Sequence, residues 1–291
     1  MKSFMASIGD DNMKRTSILI MLLALALILT SCFPGSFPRV PKTILIDDSH
    51  NNRIDDEASV EMSKLIQALE DKGYTVDLSS ESGFSPEGYG IVIVLAPQTA
   101  YSVNEMSGLV TLLSRGGKVL LLGEYYIYYD NAPLNAIASY LEVGIQFNNN
   151  LLHDNTNNYD NEEIWVTTTK FNAHPLTSGL NKIVLIAAST LNTSGEAQTI
   201  AYAEPTSYVP LSEAAKESLS GVVAGNGTSP SEFSDQVTIV VPLVAAASVG
   251  SGKVVAIGDI NLFSDDIWGY ISGDFIDLFD NRKLLNNIID W

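Results

Sequence analysis

Four short apolar runs set the limits on what this chain can fold into. Thr43–Ile46 (TILI), Ile91–Leu95 (IVIVL), Val119–Leu122 (VLLL) and Val254–Ile257 (VVAI) are β-branched or leucine-rich and show no polar alternation. A strand with one wet face alternates; a run of four or five residues that does not fits a strand covered on both faces, as in a parallel sheet. Parallel strands need long crossovers, and the intervals supply them. Ala58, Met62, Leu65, Ile66 and Leu69 recur at helical spacing and stop at Gly73, and Tyr74–Leu78 is a further strand. Ser102 and Glu105 make a capping box ahead of Met106, Leu109, Val110 and Leu113, and Gly116-Gly117 ends that helix. Strand, helix, strand, strand, helix, strand predicts an α/β fold with right-handed crossovers.

The second half is read more coarsely. Leu134–Leu141 is a helix candidate, and Asn148–Glu163 (NNNLLHDNTNNYDNEE) reads as a long polar surface loop. Ile183–Ile186, Thr199–Ala203 and Val237–Val241 are predicted strands, some of them antiparallel, and Ser212–Glu232 is a surface excursion. Asp277–Trp291, with Leu278, Leu284, Leu285, Ile288 and Ile289, closes the domain as a helix whose apolar side should dock on the sheet. No internal repeat and no second-domain boundary stand out.

The N-terminus carries an address. Ile18–Leu29 is an unbroken apolar run of 12 residues preceded by Lys14 and Arg15. That is short of the roughly 20 residues of a membrane span and matches the core of an export signal. Asp10 and Asp11 are foreign to such a signal, and a start at Met13 would give a cleaner one. Leu29-Thr30-Ser31-Cys32 then looks like a bacterial lipobox, whose cysteine is acylated and becomes the first mature residue. The expected organisation is a lipoprotein signal peptide over 1–31, a proline-rich tether over 32–42 (FPGSFPRVP from Phe33) and one domain over 43–291. The expected location is the bacterial cell envelope, on the exported side of a membrane held through Cys32.

Charge and cysteine usage exclude several functions. With 16 Lys+Arg against 34 Asp+Glu the net charge is −18, the wrong sign for a surface that displaces phosphate counterions from nucleic acid. Cys32 is the only cysteine, so there is no disulfide framework, no thiolate zinc site and no thiol nucleophile inside the domain. Three histidines, His50, His153 and His174, are too scattered for a metal centre, and Asp154–Trp165 fails as a calcium loop because Tyr159 and Trp165 occupy the glycine and bidentate-glutamate places. No GxGxxG, GxSxG or P-loop is present. The motifs call for no metal and no cofactor.

What remains is a set of polar residues at predicted strand ends, where open α/β sheets bind ligands. Asp47, His50, Asn52 and Arg53 follow the first strand; Glu124 follows the third, with Tyr125, Tyr126, Tyr128 and Tyr129 behind it; Asp259 and Asn261 follow the last. On neighbouring strands, Asp47, Glu124 and Asp259 would line one edge. Carboxylates and a histidine so arranged can bind a cation, act as acid and base, or bond sugar hydroxyls. The tyrosines can stack on a sugar ring or complete a core. Asp55, Asp56 and Glu57 are read as complements to a helix dipole. Loop-end polar residues bury little, so substitutions at Asp47 and His50 should spare stability.

Taken together, Asp47–His50 (DDSH), Gly116–Gly123 (GGKVLLLG), His174–Gly179 (HPLTSG) and the closing GKVVAIGD…F…DN…LLNNIIDW from Gly252 to Trp291 resemble one group of families. The chain is similar over residues 43–291 to the GIFT domain and neighbouring domains of unknown function within the class I glutamine amidotransferase-like fold. These occur in accessory subunits of gliding-motility transporters, in an intraflagellar-transport subunit and in exported bacterial proteins. The resemblance implies a three-layer α/β/α fold with a mostly parallel, flavodoxin-like sheet. It does not bring amidotransferase chemistry, because Leu122-Gly123-Glu124 stands where the nucleophilic cysteine would be. It implies ligand-binding residues at Asp47 and His50; Asn52, Glu124 and Asp259 join them as candidates by their place at the predicted strand ends. The expected function is a non-catalytic binding or accessory module for a carbohydrate or a membrane transporter complex. The alternative is a glycan or ester hydrolase working through Asp47, His50 and Glu124.

Overall fold

The computed structural model describes residues 40–53, 58–125, 129–210, 236–238, 241–266 and 269–291. The signal, Cys32, the acidic trio 55–57, Tyr126, Tyr128 and the 212–232 excursion lie outside the described residues.

The apolar runs form the centre of one sheet. In chain order the strands are β1 Thr43–Asp47, β2 Thr75–Leu78, β3 Ile91–Leu95, β4 Lys118–Leu122, β5 Ile145–Phe147, β6 Asn158–Tyr159, β7 Glu162–Thr168, β8 Ile183–Ile186, β9 Leu191–Thr193, β10 Gln198–Tyr202, β11 Tyr208–Pro210, β12 Gln236–Thr238, β13 Pro242–Val249 and β14 Gly252–Ile257. The helices are α1 Ala58–Glu61, α2 Ser63–Asp71, α3 Ser79–Ser82, α4 Val103–Ser114, α5 Ala132–Tyr140 and α6 Asn281–Asp290. Seven strands pair in the order β10-β13-β14-β4-β3-β1-β2. The five from β14 to β2 are mutually parallel, while β13 runs against both its neighbours. The fold is therefore α/β with a mostly parallel central sheet.

Absence of alternation in the strands has the expected cause. Ile44, Ile46, Ile93, Leu95, Leu122 and Ile257 join one apolar cluster with Met62, Leu65 and Leu69 of the α1–α2 stretch and Leu284, Leu285 and Ile288 of α6. Leu45, Val92, Val94, Leu121 and Ala256 join a separate cluster with Leu109 and Leu112 of α4 and Leu134 and Ile137 of α5. Successive residues of a strand point to opposite faces, so each strand must be apolar at every position. Among the described residues no helix is long and apolar enough to cross a membrane.

Two readings need correction. Asn148–Glu163 is not a surface loop throughout: Leu152 and Asp154 have no exposed surface, and the segment enters β6 and β7. Asp154 is buried because Oδ1 accepts the Thr156 and Asn157 N–H groups and Oδ2 the Thr206 and Ser207 hydroxyls. Strand β13 (PLVAAASV), absent from the sequence reading, is in place because six register pairs hold it to β14.

Candidate functional site

The carboxyl ends of the parallel strands carry two buried polar networks. The first is centred on Asp47, the last residue of β1, which has no exposed surface. Its Oδ1 lies 2.8 Å from His50 Nδ1 and accepts the Ser79 hydroxyl at 2.9 Å. Its Oδ2 accepts the Tyr101 hydroxyl and, at 3.3 Å, Asn52 Nδ2. The turn between is tight: Asn51 has φ +48°, a conformation asparagine tolerates. Asn52 also donates to the Leu95 carbonyl at 2.8 Å, tying the turn to the end of β3.

His50 is enclosed. Its ring stacks on Tyr101 at 3.9 Å between centroids and meets the Phe84 ring edge-on at 5.2 Å. Its Nε2 lies 3.4 Å from Glu105 Oε1. Glu105 is the distal member of the capping box of α4, accepting the Ser102 N–H while the Ser102 hydroxyl accepts its own. Burial would lower the His50 pKa, but Asp47 and Glu105 outweigh it and hold it above the ordinary value. Burial likewise opposes ionisation of Asp47, yet the bonds from His50, Tyr101 and Ser79 and the His50 charge leave its carboxyl below the usual range. Burial and the Asp47 charge push the Tyr101 phenol well up. A carboxylate thus stands at each ring nitrogen of His50, and neither nitrogen is left open to a substrate. This network fastens β1 to the starts of α3 and α4.

The second network repeats one device on adjacent strands. Leu122 of β4 pairs with Ile257 of β14, and each strand continues as glycine then carboxylate. The glycines are required by close approach: a Cβ at Gly258 would fall 1.9 Å from the Ser189 carbonyl oxygen, and one at Gly123 2.6 Å from the Phe147 ring. Glu124 and Asp259 are thereby set side by side, both fully buried. Asp259 accepts N–H groups from Ile186, Asn261 and Leu262. Glu124 accepts the Tyr125 N–H and Asn261 Nδ2 and pairs with Arg53 Nε at 3.2 Å. Burial raises Asp259 to about 7, and burial together with the Asp259 charge pushes Glu124 well above the carboxylate range. Arg53 also pairs with Glu61 at 3.1 Å.

Beside the second network opens a cleft of about 530 Å³. Arg53 and Asn261 form part of its lining, and Trp165, Tyr270 and Phe275 supply aromatic walls. Consecutive rings along Phe279, Tyr159, Trp165 and Tyr270 have centroids 5.7, 6.0 and 6.3 Å apart; Tyr270 is largely exposed and Phe279 about half so. Asp160 and Glu162 flank the cleft from the β6–β7 hairpin, whose tip residues Asp160 and Asn161 both have positive φ, as a two-residue turn demands.

The five sequence candidates thus fall into two groups, Asp47, His50 and Asn52 in one network and Glu124 and Asp259 in the other. None of the five lines the cleft. Sequence reading missed Ser79, Tyr101 and Glu105 as partners of Asp47 and His50. It also missed Trp165, Tyr270 and Phe275, although aromatic residues in otherwise polar segments were the available signal.

No family model matches the chain, and no curated protein matches it by sequence. Among solved structures, the mmIFT52 N-terminal domain superposes with a TM-score of 0.62 at 16% identity, over 86% of this chain and 96% of that one. Cytoplasmic protein STM1381 from Salmonella typhimurium LT2 gives 0.49 at 12% identity, over 85% and 98%. A protein described as ThuA-like from Parabacteroides merdae ATCC 43184 gives 0.43 at 11%, over 86% and 88%. At these identities the likeness to the mmIFT52 domain is one of fold.

Proposed function

We propose that this chain is a lipid-anchored protein of the bacterial cell envelope that binds a carbohydrate without catalysing its cleavage. The observation that carries the reading is the aromatic cleft. Its rings present flat apolar faces and edges suited to sugar C–H surfaces, with carboxylates placed to take hydroxyls. The volume suits a small ligand or one end of a longer one. Cys32 supplies the anchor in this reading, and the acyl chains hold a protein whose acidic surface would not seek anionic headgroups. A transporter subunit as partner is the same binding role with a different occupant; the aromatic walls favour the sugar.

The rival hydrolase would use Asp47, His50 and Glu124. Against it stand the two carboxylates that occupy both nitrogens of His50 and the burial of Glu124 beneath Arg53 and Asn261. A general acid or base must reach the substrate. In the finer assignment we read the chain as a GIFT-type, three-layer α/β/α domain of the class I glutamine amidotransferase-like, flavodoxin-like class. Support comes from motif and element coinciding: Asp47–His50 leaves β1, Gly116–Gly123 contains β4, and Gly252–Asp259 contains β14.

Glycan-array binding by the full chain, with product analysis on the same glycans, tests the function. Retention of at least one glycan without cleavage is expected; His50-dependent cleavage would install the hydrolase. Mass spectrometry of the mature N-terminus should find Cys32 acylated and residues 1–31 removed, and an unmodified cysteine would remove the anchor.

A further inference from the structure

We infer that the aromatic cleft selects a protonated amine, so that the ligand is an oligosaccharide with free amino groups rather than a neutral, acylated or acidic one. The inference rests on the glycan reading above and narrows it.

Three features of the cleft point the same way. Asp160 and Glu162 are exposed at its edge, and neither side chain has a hydrogen-bond or ion-pair partner among the described residues. Carboxylates that serve a fold are bonded to it, as Asp47, Asp154 and Asp259 are; these two are left facing the cleft. Arg53, the one cation among the described lining residues, is already paired with Glu61 at 3.1 Å, so it does not cancel them. Trp165, the ring type that attracts a cation most strongly, lines the same cleft as the two carboxylates, with Tyr270 beside it.

The surroundings reinforce the choice. At −18 the whole chain attracts cations and repels anions over the distance of a Debye length. A uronic acid, sialic acid or phosphorylated sugar would meet two uncompensated negative charges. A neutral sugar would leave both carboxylates without a counter-charge. An amino sugar satisfies the rings with its C–H face and the carboxylates with its ammonium.

The test is calorimetry of the full chain at pH 6 with two tetramers of equal length, one of glucosamine and one of N-acetylglucosamine. The free-amine tetramer should bind about tenfold tighter or more, the size expected when a cation gains a ring face and a carboxylate. Added salt should weaken it, and the Asp160→Asn/Glu162→Gln double variant should abolish the preference. Both substitutions are at exposed positions, so an unchanged thermal midpoint will certify the fold. Equal affinities, or a preference that survives the double variant, would overturn amine selection while leaving the glycan reading in place. Tetralysine binding as tightly as the glucosamine tetramer would overturn the sugar half of the inference. Failure of both tetramers while a neutral glycan from the array binds would overturn the inference alone; failure of every glycan would overturn both.

Discussion

Asp47 illustrates what a carboxylate at the end of a buried strand can be for. Its place after β1 suggested a solvent-facing group whose loss would be mild. In the fold it has no exposed surface and accepts from His50, Asn52, Ser79 and Tyr101. Asp47→Ala would strand those donors in a buried setting, which should cost about 3 kcal/mol or more in chemical denaturation. A loss below about 0.5 kcal/mol would return Asp47 to the surface role. The position of Asp47 was legible in the sequence but its setting was not, because Ser79 and Tyr101 lie 32 and 54 residues further along the chain. By contrast, the Ser102–Glu105 capping box is local and was read correctly. Its second role, facing His50, is tertiary and left no local trace.

Titration at the second network has a definite sign. Asp259 keeps its proton to about pH 7 when folded, against an ordinary value of 3.8. The folded state therefore binds more protons in that interval, and stability should fall as pH rises from about 4 through 7. His50, raised from 6.5, continues the fall above that value. Asp47, being lowered, acts oppositely only at more acid pH. Denaturation midpoints measured between pH 4 and 8 should show this decline, and Asp259→Asn should flatten its lower part. A stability that rises over the interval would contradict the burial of two adjacent carboxyl groups.

Among the elements, α6 shows most directly how sequence pattern becomes packing. Leu284, Leu285, Ile288 and Ile289 are buried, as the helical spacing predicted, and Leu285 has no exposed surface. Leu285→Ala should cost about 2–5 kcal/mol, since the cavity lies between α6 and the sheet; an unmoved urea midpoint would mean that the helix is not docked. The Asp280-Asn281 pair at its start has a structural use. Asp280 accepts the Asn181 and Lys182 N–H groups, and Asn281 donates to the Val184, Leu262 and Phe275 carbonyls. Strand β13 escaped the sequence reading for the converse reason. Its alanines carry little intrinsic strand preference, and pairing with β14 and β10 decides its conformation. Asn148–Glu163 misled because polar composition was equated with exposure, whereas Asp154 is buried by satisfying four donors.

At the scale of the molecule, the conspicuous polar residues and the open cleft are different places. The acid- and histidine-rich strand ends brace the sheet from within, and the surface offered to a ligand comes from β7, the β6–β7 hairpin and the segment after β14. The most direct measurement compares Tyr270→Ala with His50→Gln on one glycan identified by the array, recording affinity and denaturation midpoint for each. The account predicts that Tyr270→Ala, at a residue 62% exposed, loses several-fold to about tenfold in affinity with a little-changed midpoint, whereas His50→Gln lowers the midpoint and keeps the affinity. Binding lost in His50→Gln and kept in Tyr270→Ala would contradict it.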